Sequence, residues 1–180
     1  MARSRRAEAT ALAGWVKPQL TRLVDAPPDG PEWLHEIKFD GYRMHARLDR
    51  GAVRLLTRTG LDWTRKYPAI ASAVASLPAR QAYLDGELCG VRPDGTTSFS
   101  LIQNASDTGN GDALVFFLFD LLHLDGEPVS VRPLKERKER LRALLSGVPS
   151  REAFQRRRCL VPVDNFYEWA KTGIATQRAG

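Results

Sequence analysis

The chain has 180 residues, 43% of them apolar and 27% charged, with a formal net charge of +6 at pH 7. That is enough chain to bury one sizeable core, and no apolar run in it is long enough to span a membrane. A basic balance suits a polyanionic partner, but much of the excess lies in two end clusters, Arg3, Arg5, Arg6 and Arg156, Arg157, Arg158, and short basic ends are often only solvated tails.

In chain order, residues 1–17 read as a basic, poorly ordered tail with no apolar stretch of the kind a secretory signal needs. An extended entry follows, with the turn-forming run Ala26-Pro27-Pro28-Asp29-Gly30-Pro31. Strands are expected over Trp33–Phe39 and Tyr42–Asp49, joined by Asp40-Gly41, and over Ala52–Thr57 after Arg50-Gly51. A helix is expected over Lys66–Ser76, with Ile70, Val74 and Leu77 on one side. Strands return over Ala82–Val91 and Leu114–Leu122; the second is a continuous apolar run, as for a strand buried on both faces. Asp107–Asp112 lacks the lysine and following helix of a phosphate loop and reads as a connection. A last helix over Lys135–Leu145 turns Leu134, Leu141, Leu144 and Leu145 inward. Mainly antiparallel strands with a few helices make an α+β domain. Cys89 and Cys159 have no CxxC or Cys/His spacing, which argues against structural zinc and for a reducing cytoplasm.

The chemistry concentrates in Glu36-Ile37-Lys38-Phe39-Asp40-Gly41-Tyr42-Arg43. On a strand Glu36 and Lys38 would share a face. A lysine amine is a poor nucleophile while protonated, so attack on phosphorus needs charged neighbours or a metal to adjust it. Gly41 permits a tight turn or a close approach, and Arg43 offers a planar fork for phosphate or ribose oxygens. Taken alone, the run reads equally well as a surface strand ending in an Asp-Gly turn. Three segments follow it in order: Leu55-Leu56-Thr57-Arg58-Thr59-Gly60, Tyr83-Leu84-Asp85-Gly86-Glu87-Leu88 with both carboxylates on one face, and Val115-Phe116-Phe117-Leu118-Phe119-Asp120-Leu121-Leu122. On its own, the aromatic cluster Phe116, Phe117 and Phe119 looks like core. The scattered His35, His45 and His123 lack metal-ligand spacing; His123 reads as a turn or rim residue, and Trp63 as a packing anchor.

Together these segments resemble motifs I, Ia, III and IIIa of the covalent nucleotidyltransferases: DNA ligases, RNA ligases and capping enzymes. The flanks Trp33-Leu34-His35-Glu36, Asp62-Trp63-Thr64, Phe99-Ser100-Leu101-Ile102-Gln103-Asn104 and Arg132-Pro133-Leu134 with Glu136-Arg137-Lys138 are similar to bacterial ATP-dependent DNA ligases, above all the ligase module of ligase D. The resemblance covers Pro18–Pro149. It implies an adenylation-domain fold in which Lys38 takes AMP from ATP, with Mg²⁺ or Mn²⁺ required. By the same resemblance Glu36, Arg43, Arg58, Glu87 and Phe119 contact the nucleotide, with Glu36 beside the base and Phe119 stacked on adenine. Asp40, Gly41 and Asp85 support them, and Glu87 is also a candidate for binding the metal. The implied substrate is DNA with nicks or breaks, with other end-joining proteins as companions and no membrane.

Past Pro149 nothing resembles the later ligase motifs IV, V and VI. Arg151–Thr172 instead resembles an internal segment of the SOS-response-associated peptidase family, with Glu168 at the place of an active-site glutamate and Asn165 where that family has glycine. The expectation is therefore an incomplete adenylation domain over 18–149 with a foreign tail over 150–180. It should seal nicks poorly and leave the Leu114–Leu122 strand uncovered. Two alternatives stay open at this level: an inactive relic that only binds nucleotide or DNA, and a nucleotidyltransferase acting on RNA.

Overall fold

The computed structural model describes residues 10–20, 24–26, 28–30, 33, 34, 36, 38–108, 113–146 and 160–162, with backbone alone for 106–108 and 160–162. Its centre is a five-stranded sheet, ordered β2-β1-β3-β4-β5. The strands are β1 (Tyr42–Asp49), β2 (Ala52–Thr57), β3 (Gln81–Gly90), β4 (Leu114–Leu124) and β5 (Leu160–Pro162). The first four pair antiparallel, and β5 lies parallel to β4, with Phe116 opposite Leu160. Among the described residues three α-helices accompany them: α1 (Pro68–Ala75), α2 (Phe99–Thr108) and α3 (Leu134–Ser146).

Local chemistry explains the connections. β1 and β2 meet in a two-residue turn in which Arg50 and Gly51 have φ of 51° and 86°. Positive φ at both central residues is the hairpin geometry that follows the right-handed twist of the strands. The same device ends β4, where Asp125 and Gly126 have φ of 45° and 89°. The Asp125 carboxylate there accepts the Arg80 and Gln81 N–H groups, 2.8 Å each. Helix α1 opens on Pro68, whose fixed φ and missing N–H suit the first turn.

Alternation along the strands sorts the side chains into two faces. Met44, Ala46 and Leu48 of β1, Leu84 and Leu88 of β3, and Phe116, Leu118 and Leu121 of β4 join one core. Helices close that core with Ile70 and Val74 from α1, Ile102 from α2, and Leu141, Leu144 and Leu145 from α3. The opposite face carries polar groups, among them Arg43 and His45 of β1 and Asp85 of β3.

β1, β2, β3, β4, α1 and α3 lie where periodicity places them. Four expectations change. No strand is described over 33–39: Glu36 forms a lone bridge, and His35 and Ile37 lie outside the described residues. Asp107 and Thr108 finish helix α2, which the sequence reading treated as motif and connection. Its strong turn signals come only afterwards, at Gly109 and Gly111. β4 is fully buried on one face only, since Phe117 and Phe119 stay half-buried on the other. Finally, β4 is not left uncovered. β5 pairs along its edge, and Phe116 and Leu118 have no exposure. The rest of the tail, Glu168 included, lies outside the described residues.

Candidate active site

Lys38 is exposed, on the short stretch that leads into β1. That stretch is pinned by its neighbours. The Phe39 ring stacks on Phe117 of β4 with centroids 4.0 Å apart and planes 8° apart, a contact beyond simple area burial. Gly41 presses against β3. A Cβ there would sit 2.2 Å from the Leu88 carbonyl oxygen, so only glycine lets the chain pass at that distance.

Arg43 follows on β1, opposite Glu87 of β3 in the strand register. Its guanidinium turns to the diagonal neighbour Asp85 and binds it with both arms, Nε to Oδ1 at 2.8 Å and Nη2 to Oδ2 at 2.7 Å. It also lies over the Phe119 ring, 4.8 Å from the centroid, within cation–π range. A bulge in the pairing of β3 with β4 falls between Asp85 and Gly86. Bulges of this kind re-aim side chains beside functional sites. A Cβ on Gly86 would stand 2.5 Å from the Phe117 carbonyl oxygen, so glycine is needed where the two strands crowd.

The electrostatics follow from burial. Burial opposes charge on Asp85, but bonding from His45 and Arg43 and the Arg43 charge outweigh it and hold the carboxyl below its usual range. Burial likewise opposes charge on Arg43, and Asp85, with Glu87 and Asp120 behind it, outweighs this and keeps the guanidinium protonated. Glu87 goes the other way. Burial pushes it up to about 7, against the weaker pull of Arg43 and of a bond from the Gly41 N–H.

Gly41, Arg43, Arg58 and Glu87 line one cavity of about 390 Å³, together with Tyr42, Thr57, Thr59, Leu61, Trp63 and Phe99. Arg58 is exposed at its edge, just past β2. Lys38, Glu36 and Phe119 are not in this lining. Phe119 joins it through Arg43. Glu36 is drawn instead to Lys138 of α3 in an ion pair, and the Lys138 amine also donates to the Phe119 carbonyl at 2.9 Å. Asp40 is exposed beside Gly41. Asp85 bonds Arg43 and is not part of the cavity lining.

Sequence reasoning missed Lys138, although a signal existed. It shares the 134, 138, 141, 145 stripe of α3 with three leucines, and a lysine on an apolar stripe needs a partner. Trp63, read as a packing anchor, does make an edge contact with Tyr42 but also lines the cavity. His123 is buried on β4 rather than at a rim, its Nε2 accepting the Gly126 N–H of the following turn at 3.1 Å.

A family profile described as ATP dependent DNA ligase domain matches residues 15–180. The chain belongs to the ATP-dependent DNA ligase domain family. The match runs on past Pro149, where the sequence resemblance had stopped. Among curated relatives, the multifunctional non-homologous end joining protein LigD of Pseudomonas aeruginosa is 44% identical over 138 residues, covering 77% of this chain and 16% of that protein. The bifunctional LigD of Bacillus subtilis is 32% identical over 143 residues, covering 69% and 23%. This ligase-family chain thus spans under a quarter of the length of those relatives. Among solved structures, the ligase domain of M. tuberculosis LigD aligns with a TM-score of 0.57 at 32% identity, covering 71% of this chain and 38% of that one. A mycobacterial DNA ligase D complexed with ATP and MES aligns with a TM-score of 0.55 at 32% identity, covering 71% and 39%. The domain is of the LigD ligase type, and its sheet with accompanying helices is the α+β arrangement expected for it.

Proposed function

We propose that this domain carries out nucleotidyl transfer for joining DNA breaks, with Lys38 as the residue that takes up AMP. In this reading the neutral Lys38 amine attacks the α-phosphorus of ATP. A P–N bond forms, the bond to the bridging oxygen breaks, pyrophosphate leaves, and the amine proton passes to solvent. AMP then moves from Lys38 to a 5′-phosphate at a nick or break. Attack by a 3′-hydroxyl closes the phosphodiester and releases AMP.

The observation that carries this reading is the convergence of Arg43, Arg58, Glu87 and Gly41 on one cavity directly after the Lys38 stretch. Phosphoryl transfer asks a protein mainly for positioning and for charge placed beforehand. Arg43, fixed by Asp85, presents a preorganised cation over an aromatic ring, and Arg58 brings a second cation to the cavity edge. Phe119 offers a face for adenine, and such stacking is worth about 1–3 kcal/mol per base.

Mg²⁺ or Mn²⁺ fits the residues present in one way. Among the described residues no group of three His, Cys, Asp or Glu side chains could hold a metal by themselves. Glu87, however, is a carboxylate that burial has brought to the edge of protonation, and a hard cation held by one carboxylate plus phosphate oxygens would restore its charge. Such a cation would offset negative charge on the phosphate oxygens. The end-joining setting, companion repair proteins and a cytoplasmic site of action extend the same reading. Among the described residues, no helix is long and apolar enough to cross a membrane.

The test is an adduct experiment with α-labelled ATP and Mg²⁺, followed by a chase with nicked duplex DNA. The expected result is label on the protein that vanishes in Lys38→Ala and moves to DNA 5′ ends in the chase. Label that transfers to RNA ends and not to DNA would replace the substrate assignment.

A further inference from the structure

Behind Arg43 and Asp85 lie two buried polar side chains, His45 and Tyr83, that the nucleotide-transfer reading does not use. His45 stands directly opposite Asp85 in the β1–β3 register. His45 is 1% exposed, Tyr83 1% and Asp85 5%. The His45 Nδ1 lies 3.0 Å from the Tyr83 hydroxyl oxygen, and that oxygen accepts the Val16 N–H at 2.9 Å. At the other end of the ring, Nε2 lies 3.3 Å from Asp85 Oδ1, close enough for an electrostatic contact but outside hydrogen-bond geometry, and among the described residues it makes no hydrogen bond. Val16 belongs to a segment laid across this face of the sheet. Thr10 N–H donates to the Gly126 carbonyl at 2.8 Å, and Arg47 Nε donates to the Ala13 carbonyl at 2.9 Å.

For a neutral His45 ring the neighbours indicate one tautomer. An ionised carboxylate only accepts, so Nε2 must carry the ring proton to interact well with Asp85. A neutral ring protonated there has an accepting Nδ1. The Tyr83 hydroxyl therefore donates to Nδ1 and keeps a lone pair for the Val16 N–H. Tyr83 and Nδ1 are then paired, and Nε2 faces Asp85 Oδ1, which also accepts from Arg43 Nε.

We propose that His45, braced by Tyr83 and the Val16 backbone, is a positioning residue that fixes Asp85 and through it the orientation of Arg43 in the cavity. The inference rests on Arg43 being a nucleotide contact, as proposed above, but the strut itself does not depend on ATP. Asp85 meets Arg43 with both oxygens. A planar carboxylate held on one side only can swing about its own torsions and carry the guanidinium with it. His45 approaches the same Oδ1 from the cross-strand side and removes that freedom. Outer groups that orient metal ligands matter by about 10–100-fold when lost, and an effect of that order is expected for one that orients Arg43.

The experiment uses the whole chain and two independent readouts. The first is NMR of ring and guanidinium nitrogens, with the Arg43 Nε–H signal assigned by its loss in Arg43→Lys. The expected results are an Nε2–H tautomer for His45 and a slowly exchanging Arg43 Nε–H. That proton should exchange about tenfold faster in His45→Leu and recover in His45→Gln, whose amide can still donate to Asp85. If His45→Leu does not fold, Tyr83→Phe takes its place, with a smaller acceleration in the same direction. The second readout is the KM for ATP in lysine labelling, expected to rise about tenfold in His45→Leu and to be rescued by His45→Gln. An Nδ1–H tautomer, or Arg43 exchange unchanged in a folded His45→Leu or Tyr83→Phe chain, overturns the inference. His45-dependent protection of Arg43 in a chain that forms no Lys38-dependent adduct keeps the strut and removes the nucleotide-transfer reading instead.

Discussion

Glu87→Gln should stabilise this domain, and by an amount that depends on pH. Burial raises the Glu87 carboxyl from 4.5 to about 7 in the folded chain. Below pH 4.5 the group is protonated folded and unfolded, so it has no linkage effect. Between 4.5 and about 7 the unfolded chain ionises it while the folded chain holds its proton, and stability falls with rising pH. Above about 7 both states are ionised and the loss levels off. At 1.36 kcal/mol per pH unit the full span is worth about 3 kcal/mol. Glutamine keeps the shape without the charge. The variant should therefore match the wild type near pH 4.5 and exceed it by up to about 3 kcal/mol at pH 8.5. The assay is urea unfolding from pH 4.5 to 8.5 without nucleotide or divalent cations. A difference between the two proteins that stays constant across this range would refute a Glu87 whose burial outweighs its compensation by Arg43 and the Gly41 N–H. Added Mg²⁺ and ATP should reverse the order, because ligands that need the ionised carboxylate stabilise only the wild type.

Two further outcomes follow from the packing. In Gly41→Ala the new methyl would meet the Leu88 carbonyl at 2.2 Å. The Lys38 stretch must then lift from β3, with a loss of about 1–3 kcal/mol in denaturant unfolding and a matching fall in AMP labelling. Burial pushes the Cys89 thiol well up, so it should resist alkylation at pH 8 in the native chain and react fully in urea, as peptide mapping will show.

Much of this fold is legible in the sequence, because β1 through β4 and α1 and α3 carry clean periodicities and their turns are written in Arg-Gly and Asp-Gly pairs. The bounds of β1 and β2 follow directly from alternation between those turns. What resisted reading has physical causes. Helix α2 holds serines and an asparagine, residues with weak helical preference, and it is held by packing Ile102 into the core. β5 is three residues long and owes its place to pairing with β4, a contact between distant segments. Arg43, Arg58 and Glu87, singled out because their motifs are contiguous and ordered, do line one cavity. The wiring of the site was not legible. The turn of Arg43 onto the diagonal Asp85, the Lys138 reach to Glu36 and the His45–Tyr83 strut depend on cross-strand register and helix docking. A list of scattered histidines does not reveal these contacts.

The most direct test of the central claim is to map AMP on the protein after reaction with ATP and Mg²⁺. The account predicts one added AMP, on the peptide containing Lys38, through a bond labile to acid, and none in Lys38→Ala. AMP on another residue, or an adduct that persists in Lys38→Ala, would contradict it.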